Sequence, residues 1–215
     1  MQDSLVHRHR ILGIDPGTLL MGYALLDSEG QRTEPVLFDV LDVRKYDDQY
    51  ARLQKEFFFL QDLIEQYRPT CLAIETQFVD KNPQTMIKIV HAQGVAIAAA
   101  LSKDLPVYEY SPMKIKMAIT GNGHSTKQQV ADMLIRFLKL NVSVEGAKLS
   151  DGKPLDSTDA LAIAYCHFLQ LGLPLGTDHG AKNWTQYAKQ RGLAGTSAAT
   201  PNQRLMAALQ KTNKK

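Results

Sequence analysis

The chain has 215 residues, of which 44% are hydrophobic and 22% charged, with a formal net charge of +3 at pH 7. Those proportions suit an ordinary globular protein with enough chain for one full core, and they exclude a disordered polyelectrolyte or a low-complexity fibre. No apolar run approaches the ~20 residues of a membrane span, and the opening MQDSLVHRHR lacks the apolar stretch of a secretory signal.

Residues 10–15, 21–27 and 35–43 read as three strands joined by short turns, hence an antiparallel meander. The first runs into Asp15 and then Pro16-Gly17, a pair that bends the chain away. An aspartate that only hydrogen-bonds its own turn would carry the same letters. In DQYARLQKEFFFLQDLIEQY, Leu53, Phe57, Leu60 and Ile64 recur at helical spacing. CLAIE, 71–75, is a buried strand that again closes on an acid, Glu75. Asn82 and Pro83 open a helix that reaches 102 and is rich in Ala and Gly on several faces. LPVYEY is a fifth strand, and Ser111-Pro112 starts a short helix. Ser125 with Gln128 predicts a capping box for TKQQVADMLIRFLKL. DSTDALAIAYCHFLQLG, after a polar stretch over 141–155, is a last helix stopped by Gly172 and Pro174. Cys71 and Cys166 sit in apolar runs with no metal-ligand spacing, so both are expected in the core of a protein kept reduced, in the cytoplasm.

Residues 1–9 read as an N-terminal extension, 10–174 as one domain, and 175–215 as a disordered basic tail. From Ala181 onward there are seven basic residues and no acid, whereas residues 1–180 sum to −4. Such a split suits a polyanionic partner, and equally a solvated tail.

The recurring feature is the acid at the end of an apolar strand. If the strands of Asp15 and Glu75 are parallel neighbours, the two carboxylates approach one another and need a proton or a cation between them. Asp156 and Asp159, three apart, share one face of the first turn of the last helix. Asp156 could equally be a plain helix cap, whereas Asp159 lies beside residues that must be buried, where an unpaired carboxylate is expensive. Four acids gathered from two strand ends and one helix start suit a two-metal phosphodiester site holding Mg²⁺ through oxygen ligands.

ILGIDPGT, LAIETQFVDKNPQT, HAQGVAIAAAL, LPVYEYSPMKIKMAITGNGHSTKQQVADML and DSTDALAIAYCH occur in that order over about residues 10–172. Together they strongly resemble the RuvC family of Holliday-junction resolvases. The resemblance implies an α/β, ribonuclease-H-like fold with a five-stranded mixed sheet, three strands antiparallel and two parallel, flanked by helices. It implies a homodimer that nicks four-way DNA junctions symmetrically in recombination and repair, leaving 5′-phosphate and 3′-hydroxyl ends. It further implies two Mg²⁺ ions per site with Mn²⁺ able to substitute, and the branch-migration proteins RuvA and RuvB as partners. By position, the family's catalytic and metal-binding acids fall on Asp15, Glu75, Asp156 and Asp159. Phe78 matches an aromatic used against junction bases, and Lys116 and Lys127 match two lysines near the scissile phosphate. Lys81, Lys88 and Lys114 are weaker phosphate contacts, and the helix over 83–102 corresponds to the dimer helix. Asp151 lies in a longer approach to the last motif and ranks below Asp156.

Two other classes share features of this pattern. A related nuclease that processes ribosomal RNA precursors has similar acids, and a non-catalytic junction binder would keep the basic surface without needing the acids. Actin-like ATPases share the GIDPGT element but need a second domain that this chain is too short to hold.

Overall fold

A computed structural model describes residues 8–76, 83–141, 144–145, 148–149 and 156–171. Phe78, Lys81, Asp151 and the tail over 175–215 lie outside the described residues. In chain order the elements are β1 (Arg8–Asp15), β2 (Leu20–Glu29), β3 (Arg32–Asp42), α1 (Gln49–Tyr67), β4 (Cys71–Glu75), α2 (Pro83–Ser102), β5 (Val107–Tyr110), α3 (Pro112–Thr120), α4 (Lys127–Phe137), β6 (Val144–Glu145), β7 (Lys148–Leu149) and α5 (Asp156–Leu171).

The sheet runs β3-β2-β1-β4-β5. The β1–β2 and β2–β3 pairs are antiparallel, and β1–β4 and β4–β5 are parallel, as the ribonuclease-H-like expectation requires. Pro35 lacks an N–H, and it is accommodated on the edge strand β3, where the register slips between Leu25 and Leu26. The short β6–β7 pair falls in the stretch read from the sequence simply as polar.

Alternation along β1 sends Leu12 and Ile14 to one face and Ile11 and Gly13 to the other. On the first face, Leu12, Ile14, Leu25, Leu72 and Ile74 pack against Leu60, Leu63 and Ile64 of α1 and Ala96 and Ala99 of α2. On the second, Ile11, Ala24, Leu26 and Ala73 meet Ile115 of α3, Val130 and Leu134 of α4, and the Ala160–Ala164 run of α5. Each fully buried Leu or Ile contributes roughly 1.5–3 kcal/mol relative to leaving it in water, so the sheet is clamped from both sides. Cys71 and Cys166 are both buried free thiols in this core, where burial pushes each up to about 12 and leaves it inert.

Two local expectations are corrected. The cap of α4 is Thr126, which pairs reciprocally with Gln129, rather than Ser125 with Gln128. Ser125 is instead buried, with its hydroxyl 2.8 Å from Thr120 Oγ1. β1 starts at Arg8, two residues early, because Asp27 on β2 gathers both Arg8 Nη2 at 2.9 Å and Arg10 Nε at 2.6 Å.

Candidate active site

Asp15 and Glu75 leave the sheet side by side. Ile14 is the register partner of Ile74 on the parallel β1–β4 pair, and each acid is the next residue. Strand ends at the carboxyl edge of an open α/β sheet are where ligands meet the fold.

α5 carries the other two acids to the same edge because two glycines let it close on the sheet. A Cβ on Gly13 would lie 2.2 Å from the Ala160 carbonyl oxygen, and one on Gly22 would lie 2.8 Å from the Asp156 carbonyl oxygen and 3.3 Å from Asp15 Cβ. No side chain fits at either place, so the first turn of α5 rests directly on β1 and β2. Asp156 is the first residue of that helix and Asp159 lies one turn on, where negative charge suits the helix N-terminus. Asp159 is turned inward, with 15% of its side chain exposed, and Asp156 outward, with 44%.

Asp15, Glu75 and Asp159 line one cleft of about 160 Å³ with Lys116 of α3 and Lys127 of α4, backed by Ile115, Val130 and Ala162. Asp156 is not among its lining residues. Lys127 Nζ spans the α5 pair, 2.5 Å from Asp159 Oδ2 and 3.4 Å from Asp156 Oδ1. Burial opposes charge on Lys127, yet Asp159, with Asp15 and Asp156 adding to it, holds the ammonium above its usual range. Burial, followed by repulsion from Asp159 and Glu75, pushes Asp15 up to about 8. Glu75 is pushed up to about 7 by burial and then by Asp159, with Lys127 and Lys116 opposing the rise. Asp159 is also raised, through burial, despite its bond to Lys127.

This donor set fits a divalent metal. It offers hard carboxylate oxygens only, held close together at one end of the sheet where their charges repel. The arrangement is looser than the four-acid pocket expected from the strand ends: among the described residues, no three acidic, histidine or cysteine side chains already enclose a metal-sized point. Mutual repulsion spreads the acids, and the ammonium of Lys127 stands among them.

The other predicted residues divide. Lys116 lines the cleft with Lys127. Lys114 lies instead over the Tyr110 ring, 5.2 Å from its centroid. Lys88 lines a separate small hollow between α1 and α2. His167 is a core residue, 2.6 Å from the Tyr110 hydroxyl and driven down to about 4 by burial. His91 is exposed, with Nδ1 3.1 Å from Gln49 Nε2. Gly13 and Gly22 were missed as site residues. Their only sequence signal was a glycine inside each of two otherwise apolar strands, which marks a close approach.

A five-stranded mixed sheet with carboxylates at adjacent strand ends and a third acid supplied by the last helix defines a ribonuclease-H-like nuclease. Comparison with known proteins narrows this class. The family model for the crossover junction endodeoxyribonuclease RuvC matches residues 11–167. The RuvC of Bacteroides fragilis is 49% identical over 177 residues, covering 82% of this chain and 90% of its own. That of Porphyromonas gingivalis is 43% identical over 182 residues, covering 84% and 93%. Among solved structures, T. thermophilus RuvC in complex with Holliday junction substrate is similar with a TM-score of 0.67 at 27% identity, over 76% of this chain and 94% of that one. The chain belongs to the RuvC family of crossover junction endodeoxyribonucleases.

Proposed function

We propose that this protein resolves four-way DNA junctions by two symmetric, Mg²⁺-dependent phosphodiester cuts that leave 5′-phosphate and 3′-hydroxyl ends. The observation that carries the reading is the gathering of Asp15, Glu75 and Asp159 with Lys116 and Lys127 in one cleft. The likeness to a relative held in complex with Holliday junction substrate supports the choice of DNA. Asp15, Glu75, Asp156 and Asp159 would hold the metal, with Mn²⁺ as a substitute. When bound, two such ions supply a readied attacking water and a counter-charge for the departing 3′ oxygen.

The chain's own residues do the positioning. The paired ends of β1 and β4 fix Asp15 and Glu75 relative to each other, and α5 fixes Asp159 against both. Lys116 and Lys127 offer cations to the phosphate being cut. Ile115, Val130 and Ala162 floor the cleft and keep water from that side.

Paired cuts call for two copies of the chain. α2 buries Ala92, Ala96, Ala99 and Ala100 and leaves Ile87, Val90 and Leu101 exposed, with open space at Gly94. Those exposed positions form one helical stripe suited to a second copy across a two-fold axis. By length and composition α2 would also pass as a membrane span, contrary to the reading of apolar runs. We place it against a partner subunit, since its other face packs on α1 and the sheet. Recombination and repair in the cytoplasm, with RuvA and RuvB as partners, complete the proposal.

The test is cleavage of a synthetic four-way junction beside linear duplex and an RNA hairpin, with and without Mg²⁺. Nicks confined to the junction and dependent on Mg²⁺ are expected. Preferential cutting of RNA would overturn the reading in favour of an RNA-processing nuclease, and tight junction binding without cutting would favour a passive binder.

A further inference from the structure

Lys127 is the first residue of α4, and its backbone is pinned by the reciprocal Thr126–Gln129 cap. Its side chain leaves that fixed point, crosses to α5, and ends 2.5 Å from Asp159 Oδ2 and 3.4 Å from Asp156 Oδ1. It is still 59% exposed there, so the four-carbon stem has room to swing outward without disturbing the helix. The same ammonium lines the cleft alongside Asp15 and Glu75. One lysine thus serves acids from three elements.

We infer that Lys127 is the resident counter-ion of this acid cluster in the metal-free protein, and that it must release Asp159 before a divalent ion can be held there. The inference rests on the nuclease reading and deepens it. With the ammonium 2.5 Å from Asp159 Oδ2, a divalent ion on the same oxygen would meet a second positive charge at contact range, and the repulsion disfavours holding both. Released from Asp159, the ammonium needs another anion, and the phosphate of a bound DNA strand is the one that enters this cleft. Linkage then works in both directions. A phosphate that draws Lys127 outward tightens metal binding, and an occupied metal site frees Lys127 for the phosphate. The protein without DNA therefore holds its metal weakly, which restrains cutting away from a bound substrate.

The experiment compares full-length wild type with Lys127→Met and Lys127→Gln, titrating Mn²⁺ by calorimetry in the absence of DNA and checking each fold by its melting curve. Both variants should bind Mn²⁺ about tenfold more tightly while nicking junctions more slowly, so affinity and activity move in opposite directions. Lys127→Arg, which keeps the cation, should stay near wild-type Mn²⁺ affinity. If folded Lys127→Met and Lys127→Gln bind Mn²⁺ no more tightly than wild type while wild type cuts junctions with Mg²⁺, the counter-ion inference is overturned and the nuclease reading stands. If wild type neither binds Mn²⁺ nor cuts, both are overturned.

Discussion

Asp15 and Glu75 stand one residue beyond the Ile14–Ile74 pair, at the same level of two adjacent parallel strands. The sheet holds them together although each would be better off apart. Removing either charge should therefore cost function and relieve the fold. Asp15→Asn and Glu75→Gln should each slow junction cutting by roughly two to three orders of magnitude while leaving junction binding largely intact, as read by gel shift in Ca²⁺ against cleavage in Mg²⁺.

Stability follows with a definite sign. Burial, with Asp159 and Glu75 close by, pushes Asp15 up to about 8 in the fold, from an ordinary value of 3.8. The folded state keeps a proton that the unfolded chain gives up, so this residue's contribution falls as pH rises from about 4 to about 8 and is level above. In metal-free urea melts, Asp15→Asn should match wild type near pH 4 and exceed it by at least about 2 kcal/mol at pH 8.5. A constant gap across that window would refute the assignment.

Glu56 offers a test away from the cleft. It is 1% exposed, and among the described residues its Oε2 has no hydrogen-bond partner, in a small hollow lined also by Gly17, Thr18 and Lys88. Burial lifts it to about 7, so its ionisation weakens the fold as pH climbs from about 4.5 to about 7. Glu56→Leu, which needs neither proton nor partner, should gain about 1–3 kcal/mol at pH 8 and little at pH 4.5. Junction cutting should be unchanged.

The stripe on α2 makes a prediction about assembly. Ile87→Glu and Leu101→Glu place charge on residues that are 54% exposed in the single chain, so neither should shift its stability by more than about 0.5 kcal/mol. Sedimentation should nonetheless find monomers, and cutting should yield single nicks in place of linearised product from a cruciform plasmid.

At the opposite end of β1, Asp27 accepts from Arg8 and Arg10, and Arg10 Nη1 also donates to Tyr67 O at 2.9 Å. Its carboxyl is held below the ordinary range by Arg10 first, with Arg8 helping. That support is present above the unfolded value of 3.8 and fades as pH drops through the lower folded one. Asp27→Ala should cost about 1.5–3 kcal/mol at pH 7 in urea melts and leave the activity per folded molecule alone.

Much of this was legible in the sequence, because strands that end on acids and helices with firm start signals are local patterns. The antiparallel meander of β1, β2 and β3 and the inward turn of Asp159 followed from apolar spacing, whereas the mixed five-stranded sheet was implied by the family resemblance. What failed to show depends on partners distant in the chain. Glu56 sits beside three phenylalanines and reads as the wet side of α1, until α2 covers it. Ser125 and Thr126 are equally good caps by type, and the claim of Thr120 on the Ser125 hydroxyl settles which one serves. Lys127 is one lysine among many by sequence, and its reach to α5 appears only when α4 is packed.

Gly13 and Gly22 carry a consequence for how this enzyme can change. A methyl group at Gly13 would have to drive α5 off β1 at Ala160 by most of an ångström, and one at Gly22 would have to shift the helix start by a few tenths, tilting Asp159 away from Asp15 without altering any reactive atom. Catalysis here is conditional on two hydrogens standing where carbons would otherwise be. Drift at these positions would disable the molecule while every acid remained intact.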